Sequence, residues 1–142
     1  MERVSDERRA LSNGILAATD GSSNAQRALV WAAGLAELAE ARLTVVGVDS
    51  VHQAEVTPEF YDERAHELRS HIDDRIRDAG IGAVDVVPVF CLGRPADEIE
   101  RVALEMSADL IVVGARGSGG FTRLGLGSTT HQLAHVTRVP LV

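Results

Sequence analysis

The segment from residue 114 to residue 127 contains the residue types most suited to binding a ligand. It holds six of the thirteen glycines in the chain. Glycine loses more conformational freedom on folding than any other residue, so such a cluster is costly unless the backbone must adopt positive φ or approach another group closely. Backbone N–H groups in such a loop, leading into a helix N-terminus, form an anion-binding site. The hydroxyl groups of Ser118, Ser128, Thr129 and Thr130 could add hydrogen bonds to phosphate oxygens.

The charge around this segment supports an anionic ligand. The chain has 14 basic and 21 acidic residues and a net charge of -7. From residue 110 to residue 142, however, there is no Asp or Glu, and Arg116, Arg123 and Arg138 are all positive. This distribution suits a bound polyphosphate. A surface loop without a ligand is the alternative that glycine content alone leaves open.

Several classes of protein are excluded by composition. All 14 basic residues are arginines, so the chain has no Walker A lysine and no lysine for Schiff-base chemistry. The net negative charge argues against a nucleic-acid partner. No apolar run approaches the roughly 20 residues of a membrane span, and no secretory signal is recognisable. Cys91 is the single cysteine, which fits the reducing cytoplasm.

Strand and helix patterns alternate along the chain. Apolar runs predict strands at 14–19, 43–48, 83–90, 110–113 and 139–142. Helical periodicity and capping signals predict helices at about 24–41, from 58 to a stop at Gly80, and at about 95–106 and 128–136. This alternation predicts an α/β fold, an open parallel sheet with helices on both faces. We expect residues 1–12 to be a flexible tail and residues 13–142 to be one domain.

Finer features follow from the same patterns. Pro88 predicts that the third strand lies at a sheet edge. The charged face of the second helix is interpreted as a solvated surface. The buried face of the first helix is predicted to contain Leu29, Ala32, Ala33, Ala36 and Leu38.

The loops that follow three strands are the expected ligand site. Parallel α/β sheets bind ligands beyond the carboxyl ends of their strands, where the strand order reverses. The relevant loops follow Thr19, Val48 and Val113. The carboxylate of Asp20, in the first of these loops, could contact a ligand or could cap the N–H groups of its own turn. Taken alone, Val48 is a core residue.

The glycine spacing resembles that of a known family. Gly114-x2-Gly117-x9-Gly127-Ser128 is similar to the ATP-binding signature of universal stress proteins, G-2x-G-9x-G-[S/T]. The resemblance continues at residues 15–22 and 93–99. It implies an adenine nucleotide alpha hydrolase-like fold with five parallel strands in the order 3-2-1-4-5, and a homodimer formed through the C-terminal strand.

The resemblance also implies roles for individual residues. It places the carboxylate of Asp20 near the ribose and phosphates and the backbone of Val48 at the adenine. It implies that the glycines of the signature wrap the phosphates, with the start of the last helix closing around them. The predicted nucleotide site comprises Ala18, Thr19, Asp20, Val48, Val113, Gly114, Arg116, Gly117, Gly127, Ser128, Thr129 and Thr130. Mg²⁺ is expected to be held through the phosphates.

Together with the charge and glycine distribution, the resemblance implies an ATP-binding, cytoplasmic stress-response module. Phosphoryl transfer needs positioned cations and a group that orients the nucleophile. Asp20 is the only evident base, so we expect slow or negligible hydrolysis. A slow ATPase or phosphotransferase and a nucleotide-free dimerisation module remain alternatives.

His131 and His135 are interpreted as partly exposed helix residues, because Gln132 cannot act as the general base of a zinc-protease motif.

Overall fold

Parallel strands joined by helices account for nearly all regular structure. The computed structural model of the chain describes residues 11–50, 57–82, 84–116 and 127–142. Its elements, in order, are β1 (Ile15–Thr19), α1 (Ser23–Ala39), β2 (Leu43–Asp49), α2 (Pro58–Asp78), β3 (Val86–Leu92), α3 (Pro95–Glu105), β4 (Leu110–Val112) and α4 (Ser128–Val136). The predicted alternation of strands and helices is confirmed.

The sheet has the strand order β3-β2-β1-β4, and every pairing is parallel. This agrees with the first four positions of the predicted order. The prediction of an edge position for Pro88 is confirmed in the described sheet, where β3 pairs with β2 alone and Pro88 lies opposite Val45. Proline lacks an N–H group, and an edge strand can leave that position unpaired. The order also reverses between β1 and β4, which locates the crevice where a ligand is expected.

The predicted fifth strand is reduced to a single bridge. Leu141 forms an isolated parallel bridge with Ile111 in β4. The N–H of Ile111 donates to the carbonyl of Pro140 at 2.8 Å, and the N–H of Val142 donates to Ile111 at 2.9 Å. The C-terminal residues therefore occupy the fifth position of the order 3-2-1-4-5, but the described sheet has four strands.

Two apolar layers hold the helices to opposite faces of the sheet. On one face, Ile15 and Ala17 of β1 pack with the buried residues of α1 and with Ile72 of α2. On the other face, Leu16 packs with the buried residues of α3 and with Leu133 of α4. Alternate residues of β1 thus face opposite layers, as the pleat requires. The prediction of helices on both faces is confirmed.

Local signals set the starts of the first two helices. The side chain of Ser22 accepts from the N–H of Ala25, and the side chain of Thr57 accepts from the N–H of Phe60. These caps satisfy N–H groups that lack partners inside a helix.

The predicted burial of Leu38 is wrong, since it is 86% exposed. It lies nine residues after the buried Leu29, about two and a half helical turns, so it points to the opposite side of α1.

Cys91 is a buried side chain between β3 and α3. It is 5% exposed, and burial raises the pKa of its thiol above the ordinary value. A raised pKa leaves little of the nucleophilic thiolate at neutral pH.

Among the described residues, no helix is both long and apolar enough to cross a membrane.

Candidate functional site

A cavity of about 670 Å³ opens at the carboxyl ends of the strands, where β1, β2 and β4 meet α2, α3 and α4. Its volume is in the range typical of small-molecule sites. All of the predicted site residues line it except Gly117, which lies outside the described residues. The described part of the predicted set therefore converges on one place, although its members are spread from Ala18 to Thr130.

The turn between β1 and α1 forms the centre of the cavity wall. The carboxylate of Asp20 accepts from the N–H of Ser22 at 2.9 Å, and Thr19 Oγ1 accepts from the N–H of Gly21 at 3.2 Å. Gly21 has a φ of 79°, a conformation that side chains with a Cβ rarely adopt. Asp20 therefore performs the turn-capping role that its sequence suggested, and it also lines the cavity.

Gly114 allows the end of β4 to approach α1 closely. A Cβ at this position would lie 2.9 Å from the backbone nitrogen of Ala25 and 3.0 Å from the carbonyl carbon of Asn24. Both neighbours are backbone atoms, so no side-chain rotation could relieve the clash. On its other side, the carbonyl of Gly114 accepts from Thr130 Oγ1 at 2.8 Å. Gly114 thus joins the first turns of α1 and α4.

The N-terminus of α4 faces the same cavity. Gly127 is its N-cap, with φ -65° and no side-chain cap hydrogen bond. Gly127 therefore does not adopt positive φ. As a glycine, it places no capping side chain at the helix start. Ser128, Thr129 and Thr130 form the first turn and line the cavity. The N–H groups of a first helical turn carry partial positive charge, which favours anions.

The two ends of the glycine-rich segment lie together. The N–H of Gly127 donates to the carbonyl of Ala115. This contact brings the residues after β4 next to the start of α4. Arg116, which follows Ala115, also lines the cavity. The two described ends of the glycine-rich segment therefore lie within hydrogen-bond distance of each other.

Val48 presents backbone polar groups beyond the end of β1. The last residue of β1, Thr19, lies opposite Gly47. The carbonyl of Asp49 accepts from Gly93 on the β3 side at 2.9 Å. Residues along a parallel strand turn their backbone groups alternately to the two neighbours, so the carbonyl of Val48 points to the β1 side. Because β1 pairs no further than Thr19, this carbonyl is not used in the sheet, and Val48 lines the cavity.

One wall of the cavity is formed by residues outside the predicted set. A stripe of α2 faces the opening through Arg64, Leu68, His71 and Arg75. The charged face of this helix is predicted to be a solvated surface, and His71 on it is exposed; Arg64, His71 and Arg75 of that face also line the open cavity. The spacing of four, three and four residues is the signal of a single helix face. Whether such a face meets solvent or a crevice depends on how the helix lies across the sheet.

The two arginines of this stripe have different surroundings. Arg64 Nε donates to Asp49 at 2.9 Å, and Arg64 Nη1 pairs with Glu67 at 2.9 Å. The hydrogen bonds and charge of these carboxylates, chiefly Asp49, raise the pKa of Arg64. Arg75, three turns further along α2, extends its guanidinium toward Gly21 instead.

His131 and His135 lie on the outer side of α4. Both are exposed, as predicted, and their rings are 4.6 Å apart. The Nδ1 of His135 is 2.9 Å from the carbonyl oxygen of His131, so a contact within α4 orients the His135 ring. Within the described ranges, no group of three His, Cys, Asp or Glu side chains is arranged to hold a metal ion.

Sequence comparisons identify relatives along nearly the whole chain. The model of the universal stress protein family matches residues 13–142. A universal stress protein of Thermus aquaticus, in the QAH/OAS sulfhydrylase 3' region, is 35% identical over 136 residues, which cover 90% of this chain and 95% of that protein. Universal stress protein YxiE of Bacillus subtilis is 31% identical over 145 residues, covering 92% and 97%.

Solved structures agree with these relatives. Universal stress protein UspA from Lactobacillus plantarum has a TM-score of 0.74 and 28% identity, covering 91% of this chain and 94% of that one. The universal stress protein from Archaeoglobus fulgidus, solved in complex with dAMP, has a TM-score of 0.65 and 26% identity, with the same two coverages of 91% and 94%. The chain belongs to the universal stress protein family.

Proposed function

We propose that this protein binds ATP, with Mg²⁺ held by the phosphates, in the cavity at the carboxyl ends of its strands. The observation that carries the proposal is the convergence of the predicted residues on one cavity whose wall includes the start of α4. Among the residues that the structure describes, no side chain caps that helix start, and the N–H groups of a first helical turn can donate to an anion. A relative of known structure was solved with an adenine nucleotide, dAMP, which supports the same ligand class.

Described residues suit each part of such a ligand. The carbonyl of Val48 can accept a hydrogen bond from the 6-amino group of adenine. Asp20 lines the middle of the cavity, where a ribose would lie between the base and the phosphates. The first turn of α4 offers backbone N–H groups and three hydroxyl groups for phosphate oxygens. Since the described residues offer no cluster of protein ligands for a metal, Mg²⁺ would rely on phosphate oxygens.

Binding, and not turnover, is the proposed activity. The carboxylate of Asp20 accepts a hydrogen bond from the N–H of Ser22, a turn-capping role that does not require it to act as a base. Occupancy of the cavity would then be the signal that a stress-response module transmits in the cytoplasm.

We further propose a homodimer formed through the C-terminal segment, which already pairs with β4 at Leu141. Sedimentation equilibrium of the full chain and of a variant with Leu141→Pro would test the dimer.

A thermal shift experiment tests the ligand. At a hundredfold excess over its dissociation constant, a ligand that binds only the folded state stabilises it by about 2.7 kcal/mol. We expect Mg-ATP to raise the unfolding temperature by several degrees. Mg-GTP should produce a much smaller shift, because guanine places an acceptor oxygen where adenine has its amino group, against the Val48 carbonyl. Absence of a shift with every adenine nucleotide would contradict the proposal.

A further inference from the structure

Arg75 reaches from α2 toward the turn between β1 and α1. Its Nε and Nη2 atoms each lie 3.6 Å from the position that a Cβ would take at Gly21. The residue is half-buried and lines the cavity. A positive group from the second helix is thereby held beside the turn that connects β1 to α1.

The charge of Arg75 is not neutralised within the described residues. Arg64, on the same stripe of α2, is engaged by Asp49 and Glu67. No carboxylate in the described ranges lies within ion-pair distance of the Arg75 guanidinium. An arginine in this situation keeps its N–H donors for another partner, and phosphate is the partner that its planar donor geometry suits best.

The backbone of Arg75 is held independently of its side chain. Gln26 Nε2, from α1, donates to the Arg75 carbonyl at 2.9 Å. One turn earlier in α2, Ile72 is buried against β2. Removal of the guanidinium would leave both contacts in place. The side chain can therefore be altered without displacing the helix that presents it.

We propose that Arg75 binds the phosphate chain of the nucleotide and makes the site select nucleotides over nucleosides. This inference rests on the proposed function. In the sheet, β1 lies between β2 and β4. A ligand with its base at Val48 and its last phosphates at the start of α4 must therefore cross the end of β1. Arg75 lines the cavity beside Gly21, in the turn that follows the end of β1.

Calorimetric titration with adenosine, AMP and Mg-ATP tests the inference on the full chain. Arg75→Gln should weaken binding of Mg-ATP by about tenfold or more, because it removes a charge-assisted hydrogen bond to phosphate. Adenosine affinity should change by less than about twofold, since adenosine has no phosphate. Arg75→Lys keeps the charge without the planar donors and should restore part of the lost affinity.

Arg77→Gln is the matched control. Arg77 lies on the same helix, is exposed, and pairs with Asp74 at 2.9 Å away from the cavity. It should bind all three compounds as the unaltered protein does. Equal affinity of Arg75→Gln and the unaltered protein for Mg-ATP would overturn the inference, as would equal losses for adenosine and Mg-ATP. If the unaltered protein bound none of the three, the proposed function itself would be refuted.

Discussion

Replacement of Gly114 by alanine is expected to impair both folding and nucleotide binding. The added Cβ would meet the backbone of α1 at 2.9 Å from Ala25 N, so β4 and α1 must separate. Overpacking of this kind costs about 1–3 kcal/mol in the free energy of unfolding. The same displacement moves the Gly114 carbonyl away from Thr130, loosening the start of α4. Denaturant unfolding and calorimetric titration with Mg-ATP measure the two effects.

Gly34→Ala is the matched substitution at an open position. Gly34 lies on the exposed side of α1, and an added Cβ would have nothing within 4 Å. Alanine is favoured over glycine in a helix interior by about 0.5–1 kcal/mol. We therefore expect this variant to be more stable than the unaltered protein and to bind Mg-ATP equally well. Equal stability of the Gly114→Ala variant and the unaltered protein would show that β4 and α1 are not in close contact.

Ile72→Ala is expected to produce the largest loss of stability. Ile72 is 2% exposed, and its Cδ1 fills the space beside Gly47, 2.8 Å from where a Cβ would lie there. Truncation of a buried isoleucine to alanine costs about 2–5 kcal/mol. The variant should also bind Mg-ATP more weakly, because Ile72 fixes the helix that carries Arg75. Urea denaturation gives the free energy of unfolding, and titration of the remaining folded protein gives the affinity.

Leu38→Ala is the control for this truncation. Leu38 is almost fully exposed on α1, so removal of its side chain should change the free energy of unfolding by less than about 0.5 kcal/mol. A loss at Leu38 as large as that at Ile72 would contradict the assignment of which side of each helix faces the sheet.

The types of the strands and helices could be predicted from the sequence better than the bounds that depend on neighbouring elements. Strand and helix types follow from local periodicity, and α4 was predicted with its observed bounds. The bounds of β3 were not, because an edge strand begins where its one partner begins. Leu43 pairs with Val86, so the described ladder begins at that pair, whereas the sequence predicts a start at residue 83, which lies outside the described residues.

The site was predicted only where a motif or a strand end marked it. Asp20 and Gly114 directly follow strands, and parallel topology brings such residues together. The α2 stripe has no comparable mark, because Arg64 and Arg75 belong to a helix rich in charges throughout. Only the position of α2 across β2 separates the arginines that face the cavity from Arg77, which faces solvent. That position depends on tertiary contacts such as Ile72 against Gly47.

Amide chemical shifts measured by NMR during titration with Mg-ATP test the location of the site most directly. We expect saturable shifts at the carboxyl ends of the strands, at Asp20, Val48, Gly114 and Thr129. A second depression at the opposite end of the sheet, lined in part by Ser12, Glu37 and Asp85, provides an internal reference that should not respond. Shifts confined to that depression, or none at millimolar Mg-ATP, would contradict the central claim.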